Sequence, residues 1–268
     1  MSNGNARIVL RTASRLVRVG VHFGWGWLQA ALVLPKVGPV RRTALVQSWC
    51  LKMLQIAGVT VQETGPRPPR SVMLVSNHVS WLDMIAIQSL CESRFVAKSE
   101  VRSWPVIGSM ASRLGTVYID RGSSRSASRV VGQVAALLRA GEVIVIFPEG
   151  TTTDGSKVQP FRGSLLQAPI DARASVQPVA LTYRETGSGL PCARASYSGE
   201  DGLLESIWRT VSRQVTVRLA FGPIQVAHGQ DRRSLALALH STVDALRKLG
   251  PCENPFSDHA PANRIEPR

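Results

Sequence analysis

Short apolar runs alternate with stretches of helical periodicity over most of the chain, and this alternation constrains the fold most strongly. Short runs rich in Val, Ile and Leu are typical of buried strands, while apolar residues recurring every three or four positions predict helices. The predicted strands are residues 59–61, 72–75, 95–97, 116–119, 143–147, 176–181 and 215–220, and the predicted helices are residues 43–57, 82–91, 105–114, 126–139 and 232–249. This order predicts an α/β fold in which helices flank a single mixed, mostly parallel sheet.

The sequence divides into three predicted parts. Residues 1–57 form an N-terminal hydrophobic helical arm, and residues 58–250 form the α/β domain. Residues 251–268 are rich in proline and poor in apolar side chains, so a disordered tail is expected there.

The N-terminal arm has the pattern of a segment that lies in a membrane interface. Arginines at positions 7, 11, 15 and 18 recur at helical spacing, and a nearly uncharged run over residues 19–35 contains Trp25 and Trp27. This run is shorter than the ~20 apolar residues of a comfortable membrane span. Flanking basic residues and internal tryptophans favour a monotopic or re-entrant anchor on an anionic leaflet. A buried two-helix packing arm is the alternative.

The formal net charge of +14 indicates an anionic partner. A membrane surface, an acidic substrate or carrier protein, and nucleic acid all meet this requirement. Nucleic-acid-binding modules usually carry a recognisable motif beside their charge, and none occurs here, so no nucleic-acid partner is predicted. The four cysteines form no C-x-x-C pair, and neither a metal site nor a bound cofactor is expected.

A histidine and an aspartate lie five positions apart where a predicted strand passes into a predicted helix. His78 would occupy the turn and Asp83 the first helical turn, which is the arrangement that lets the two side chains meet. A neutral imidazole held by a carboxylate can take a proton as a general base. The alternative is that Ser80 and Asp83 only cap the helix and His78 is an ordinary turn residue.

Three other strand ends carry charged side chains. Lys98 follows one strand, where a cation could bind phosphate or stabilise an oxyanion. Asp120 and Arg121 follow the next, and an arginine there can fork onto phosphate or carboxylate. Glu149 follows the most apolar strand, in a turn that should present its carboxylate rather than bury it. Each of these residues could instead be an ordinary solvated loop side chain.

The set and order of these stretches resemble the four-block pattern of the glycerolipid acyltransferases, and in particular the bacterial 1-acyl-glycerol-3-phosphate acyltransferase type. The blocks are Asn77-His78-x4-Asp83, Gly115-x3-Ile119-Asp120-Arg121, Phe147-Pro148-Glu149-Gly150-Thr151 and Val176-Gln177-Pro178-Val179. The resemblance covers roughly residues 59–222 and places the hydrophobic arm where the family has it.

The resemblance implies a phospholipid-biosynthetic enzyme at the cytoplasmic face of the inner membrane. It would transfer an acyl chain from acyl-CoA or an acyl-carrier protein, as co-substrate, to a lysolipid hydroxyl. His78 would be the general base and Asp83 would orient it. The implied acceptor-binding residues are Lys98, Asp120, Arg121, Glu149, Gly150 and Thr151.

One position departs from the family pattern. The third block usually continues with an arginine after its threonine, and Thr152 stands there in this sequence. The sequence therefore lacks one side chain that would bind a phosphate. The stretch Glu149-Gly150-Thr151-Thr152-x-Asp154-Gly155 also resembles the corresponding stretch of relatives that acylate lyso-ornithine lipid. Lysophosphatidic acid is the first expected acceptor and lyso-ornithine lipid the second.

Overall fold

The computed structural model of the chain describes residues 3–120, 124–192, 195–197 and 203–249. Its helices are α1 (Asn3–Leu32), α2 (Pro39–Ala57), α3 (Leu82–Leu90), α4 (Ile107–Arg113), α5 (Ser124–Arg139), α6 (Gln167–Ala172), α7 (Leu203–Val211) and α8 (Arg232–Lys248). Its strands are β1 (Val59–Thr64), β2 (Val72–Ser76), β3 (Arg94–Lys98), β4 (Val117–Ile119), β5 (Ile144–Ile146), β6 (Ser175–Glu185), β7 (Val215–Phe221) and β8 (Gln225–Val226). The predicted tail lies outside the described residues.

The strands form a mixed sheet in the order β1-β7-β6-β2-β5-β3-β4, with β8 paired to β6. From β6 to β4 all neighbours are parallel, and β6 runs antiparallel to β7 and β8. The predicted fold class, an α/β fold with a mostly parallel sheet, is confirmed.

Helices cover both faces of the sheet. One face packs against α2, α3 and parts of α1 and α7, and the other packs against α5, α6 and α8. Every residue of β2 is buried because it lies in the middle of the sheet with helices above and below. This explains why its sequence is a continuous apolar run rather than an alternating one.

The two N-terminal helices are fastened to each other by a reciprocal pair of side chains. Trp49 Nε1 donates to the His22 carbonyl at 3.0 Å, and His22 Nε2 lies 3.0 Å from the Trp49 carbonyl. The two rings stack with centroids 5.1 Å apart. Gly26 permits this approach, since a Cβ there would lie 2.3 Å from the indole nitrogen. Packing therefore determines the angle between α1 and α2.

The helical arm also packs on the domain and keeps an apolar outer surface. Arg15, one of the four regularly spaced arginines, donates to the carbonyls of Val211 and Arg213 at the end of α7. Val19 is buried, whereas Trp25 and Leu32 are exposed. Within the described part of the chain, no helix combines the length and apolar character that a membrane-spanning segment needs. One side of the arm therefore packs against the domain, as the alternative interpretation predicted. The other side is exposed and could contact a membrane.

The structure extends predicted strands, β6 most of all, and adds elements that the sequence did not indicate. Strand β6 continues to Glu185, four residues past the predicted end at Leu181. The strand outlasts β2 beyond Val179 and stays buried through Leu181. From Thr182 onward polar, partly exposed side chains flank the buried Tyr183. The apolar run therefore stops before the strand does. Helix α6 and strand β8 are too short for a clear periodicity, whereas α7 is as long as α3 and was missed.

Candidate active site

The carboxyl ends of five parallel strands meet at one edge of the sheet. Val75 of β2 pairs with Ile146 of β5, so the residues three positions further on, His78 and Glu149, stand side by side. In α/β sheets this edge is where ligands bind. The candidate site therefore lies where the sequence motifs end, beyond β2 and β5.

His78 and Asp83 touch, as the sequence predicted. The Nδ1 atom of His78 lies 2.7 Å from Oδ2 of Asp83, with the histidine in the turn after β2 and the aspartate in the first turn of α3. An ionised carboxylate only accepts hydrogen bonds, so Nδ1 carries the hydrogen in the neutral ring. The lone pair is then on Nε2, which is the nitrogen that can accept a proton from a substrate.

The capping interpretation of Asp83 holds at the same time as the pairing with His78. The Oδ2 atom accepts hydrogen bonds from the backbone N–H groups of Val79 and Ser80, at 2.7 and 2.9 Å, beside the imidazole. These bonds fix the turn that brings His78 to the carboxylate. One oxygen atom therefore starts the helix and orients the ring, so the two interpretations are not alternatives.

Tyr183 is a member of the site that the sequence did not indicate. Its hydroxyl donates to Oδ1 of Asp83 at 2.6 Å, and both side chains are buried. Burial, and then the neighbouring Asp83 carboxylate, raise the pKa of Tyr183 well above its ordinary value, so the phenol stays protonated as a donor. With this bond both oxygens of Asp83 are engaged.

Ring stacking fixes the imidazole of His78, and a hydrogen bond to its carbonyl fixes the backbone of the residue. The ring stacks on Phe147 with centroids 4.1 Å apart and planes inclined by 15°. The backbone N–H of Thr153 donates to the His78 carbonyl at 2.9 Å. The side chain is 19% exposed, so the ring reaches the surface of the domain while its position is fixed.

The expectation that Glu149 is presented to solvent is wrong. Only 4% of the residue is exposed, and its two oxygens accept from the backbone N–H groups of His78 and Gln159, at 2.7 and 2.8 Å. The turn at Gly150, whose φ is +71° and whose N–H donates to the Phe147 carbonyl, folds the carboxylate back into the strand edge. Glu149 thus ties the end of β5 to the turn that carries His78.

The other predicted binding residues lie along the same edge but do not contact His78. Thr151 is exposed beside Gly150. Lys98 is exposed at the end of β3, two strands from β2, which places its backbone roughly 10 Å from that of His78. Asp120 is exposed after β4, one strand further, with the hydroxyl of Ser126 3.4 Å away. Arg121 falls outside the described residues.

The buried carboxylate of Glu149 gives a testable dependence of stability on pH. Burial raises the pKa of Glu149 above its ordinary value of 4.5, and hydrogen bonds from Gln159 and His78 offset part of this rise. The folded state therefore holds this proton more tightly than the unfolded chain. Its stabilising contribution is present below about pH 4.5 and is lost as the pH rises through the raised pKa.

The test compares the free energy of unfolding of the wild type with that of Glu149→Gln. We expect the difference, wild type minus variant, to fall as the pH rises from about 4.5 through the raised pKa of Glu149 and to stay constant at higher pH. Other titrating groups are shared by the two proteins and cancel in the difference. Urea denaturation at a series of pH values measures it. A difference that rises with pH would show that Glu149 is stabilised as an anion, contrary to this expectation.

Comparisons with known proteins agree with this geometry. The sequence model of the Acyltransferase family matches residues 58–182. The chain is 36% identical over 244 residues to the lyso-ornithine lipid O-acyltransferase of Pseudomonas aeruginosa, covering 88% of this chain and 92% of the relative. It is 37% identical over 191 residues to the 1-acyl-sn-glycerol-3-phosphate acyltransferase of Neisseria meningitidis, covering 70% and 74%. The chain belongs to the acyltransferase family.

The fold of this acyltransferase also resembles a solved structure. The crystal structure of the 1-acyl-sn-glycerophosphate acyltransferase PlsC from Thermotoga maritima superimposes with a TM-score of 0.65, covering 91% of this chain and 96% of that one at 18% identity. The predictions of an enzyme and of this family are confirmed. The family match ends one residue before Tyr183, so the hydroxyl that completes the carboxylate's hydrogen bonds lies just outside the matched region.

Proposed function

We propose that this acyltransferase transfers an acyl chain from acyl-CoA or an acyl-carrier protein directly to the free hydroxyl of a lysolipid. The observation that carries the proposal is the contact between His78 Nδ1 and Asp83 Oδ2. A hydroxyl is a poor nucleophile until a base removes its proton, and this pair leaves Nε2 of a fixed, partly exposed ring for that purpose.

The reaction would proceed in two steps on one histidine. Nε2 takes the hydroxyl proton as the acceptor oxygen attacks the thioester carbonyl, and Asp83 stabilises the imidazolium that forms. The tetrahedral intermediate then breaks its C–S bond, and the leaving thiolate recovers the proton from His78. The new ester and a free thiol are the products. No covalent acyl-enzyme is required, because the acceptor hydroxyl itself is the nucleophile.

The residues around the pair take different roles in this proposal. Glu149 positions the backbone of His78, since both of its oxygens are already engaged. Lys98 and Thr151 are exposed at the same strand edge and would meet the acceptor head group or the donor. Asp120 lies furthest away, at the rim of the site. Head-group binding by Arg121 and by the backbone of Gly150 stays a prediction, as does the absence of a cofactor.

Two acceptors are compatible with this chemistry. Lysophosphatidic acid is favoured by the four motif blocks and by the exposed cation of Lys98 at the site edge. Lyso-ornithine lipid is favoured by Thr152, which occupies the position of a family arginine and removes a phosphate ligand. The relative from Pseudomonas aeruginosa, which matches over most of its length, carries that second name. These two observations move lyso-ornithine lipid ahead of lysophosphatidic acid as the proposed acceptor.

A competition experiment separates the two acceptors. Purified protein is offered both lysolipids together, with acyl-CoA and acyl-carrier protein in turn, and the products are identified by mass spectrometry. We expect ornithine lipid to exceed phosphatidic acid in the wild type. Thr152→Arg should raise the ratio of phosphatidic acid to ornithine lipid by about ten- to a hundredfold, because a charge-assisted bond to phosphate adds roughly 1.5–3 kcal/mol.

Thr152→Gln is the matched control for side-chain size, since it adds length without charge. A wild type that forms only phosphatidic acid would reverse the order of the acceptors. No product from either lysolipid with either donor would instead favour a non-catalytic lipid-binding module and would overturn the proposed function.

We also propose that the outer side of α1 and α2 lies on an anionic membrane, at the cytoplasmic face of the inner membrane. The apolar side chains of Trp25, Leu28 and Leu32 are exposed along the second half of α1. Tryptophan at this kind of surface is typical of a membrane interface. The net charge of +14 supports an anionic leaflet, and the lysolipid acceptor would be reached from there.

A further inference from the structure

We propose that the loop of residues 104–106, between β3 and α4, is a second membrane-contact element that seats the active-site edge on an anionic leaflet. The proposal rests on the proposed function in one respect: an enzyme that acylates a lysolipid has a reason to turn its active-site edge toward a membrane. Its evidence is separate, and comes from the exposure, backbone geometry and surroundings of the loop.

The loop presents two large apolar side chains to solvent around a proline. Trp104 is 37% exposed and Val106 is 42% exposed, with Pro105 exposed between them. An aromatic side chain with a polar N–H at the tip of a protruding loop is the type of group that inserts at the headgroup level of a bilayer. Two residues beyond Val106, Gly108 is already buried in α4.

The backbone of the loop is held in a strained conformation. Val106 has φ +63° and ψ −59°, and the N–H of Ile107 donates to the Pro105 carbonyl at 2.6 Å, which together define a γ-turn of the rare positive-φ type. A β-branched residue is a clear outlier there. Strain of this kind persists where a side chain must be presented in one direction, and here the side chain presented is an exposed valine.

Close packing below the turn makes the loop rigid. A Cβ on Gly108 would lie 2.3 Å from the Arg102 carbonyl oxygen, so the backbone of α4 is pressed against the chain that enters the loop. The N–H of Gly108 donates to the Trp104 carbonyl at 2.9 Å. A rigid loop loses little conformational entropy when it inserts into lipid, which favours binding.

The loop adjoins the end of α1. The N–H of Met110 donates to the Val106 carbonyl at 2.9 Å, so the two residues are one helical turn apart. Met110 in turn belongs to a cluster of buried side chains with Ala30 of α1 and with Leu34, two residues past its end. Leu32, the last residue of the helix, is exposed on the opposite face. The loop therefore lies beside the end of α1, one of the two helices proposed above to lie on the membrane.

The charges along this connection favour an anionic lipid surface. Lys98 and Arg102 are exposed on either side of one exposed acid, Glu100, which leaves a net positive charge beside the loop. An acidic carrier protein would also meet this charge, but it gives no reason for an exposed tryptophan and valine at the tip. A leaflet accounts for both the charge and the apolar tip. Because β3 ends at Lys98, lipid held here would lie two strands from His78.

The test is equilibrium binding of the full chain to vesicles of phosphatidylglycerol and phosphatidylcholine, without substrates. The double variant Trp104→Ala/Val106→Gly should bind about tenfold more weakly than the wild type, because most of the inserted apolar area is removed. Val106→Gly alone should bind more weakly while melting at the same or a higher temperature, since glycine relieves the positive-φ strain. Leu237→Ala, at a 70% exposed leucine of α8 on the other side of the sheet, is the matched control and should bind like the wild type.

A double variant that binds the vesicles as tightly as the wild type would overturn the proposal. If that variant also lost turnover with acyl-carrier protein, the loop would be assigned to the carrier instead. Because binding is measured without turnover, a protein that proved inactive would still give a clear result.

Discussion

Replacing His78 with alanine is expected to lower kcat/KM for acyl transfer by about 10²–10⁴-fold, the usual contribution of a positioned general base. The fold should survive the change. The ring is partly exposed, and Asp83 would still accept from Val79, Ser80 and Tyr183, so no buried carboxylate oxygen loses all its partners. Release of free thiol from acyl-CoA in the presence of lysolipid measures the rate, and thermal unfolding checks the fold.

The matched control for this variant is His228→Ala. His228 is an exposed histidine in the turn after β8, which pairs with the start of β6 at the sheet edge opposite the site. Its replacement should leave the rate unchanged. Added imidazole is expected to restore part of the activity of His78→Ala, because a small base can enter the space of the deleted ring. Full activity in His78→Ala would remove His78 from the chemistry, whichever lysolipid is the acceptor.

The fold was predictable because the sequences of its central strands reflect their burial on both faces of the sheet. Strands such as β2 and β5 are covered on both faces, so their sequences are apolar throughout and stand out from the helices between them. The contact between His78 and Asp83 was predictable for a related reason, since both residues belong to one local turn. Their five-residue spacing and the strand before them predict a turn in which the two side chains can meet.

The remainder of the site depends on contacts between distant parts of the chain. Tyr183 is 100 residues from Asp83, on a part of β6 that lies beyond the end of β2, and no local pattern marks its hydroxyl. Glu149 was misjudged because a proline–glycine turn usually displays its side chains. Here two backbone N–H groups, one of them 71 residues away, hold the carboxylate inside. Such partners become visible only when the register of the sheet is known.

Asp83→Asn should lower kcat by about 10²–10⁴-fold with little change in KM, since the lost charge acts on an imidazolium that forms only during the reaction. The amide oxygen can take the place of Oδ2 and keep the bonds from Val79, Ser80 and His78. The amide nitrogen then faces Tyr183, whose hydroxyl can accept as well as donate. Steady-state kinetics and urea unfolding of the same preparation separate the loss of charge from any loss of structure.

Two further variants show whether Asp83 acts through its charge or only as a helix cap. Tyr183→Phe keeps the carboxylate and removes one hydrogen-bond donor to it. The lost bond is worth about 1 kcal/mol, so kcat should fall only a few-fold. Asp83→Ala leaves the N–H groups of Val79 and Ser80 and the Tyr183 hydroxyl without their acceptor. Each buried donor without a partner costs about 1–3 kcal/mol of stability, so this variant should not fold stably. If Asp83→Asn kept most of its kcat, the carboxylate would be needed for the turn alone, and His78 would act as a base without a charged partner.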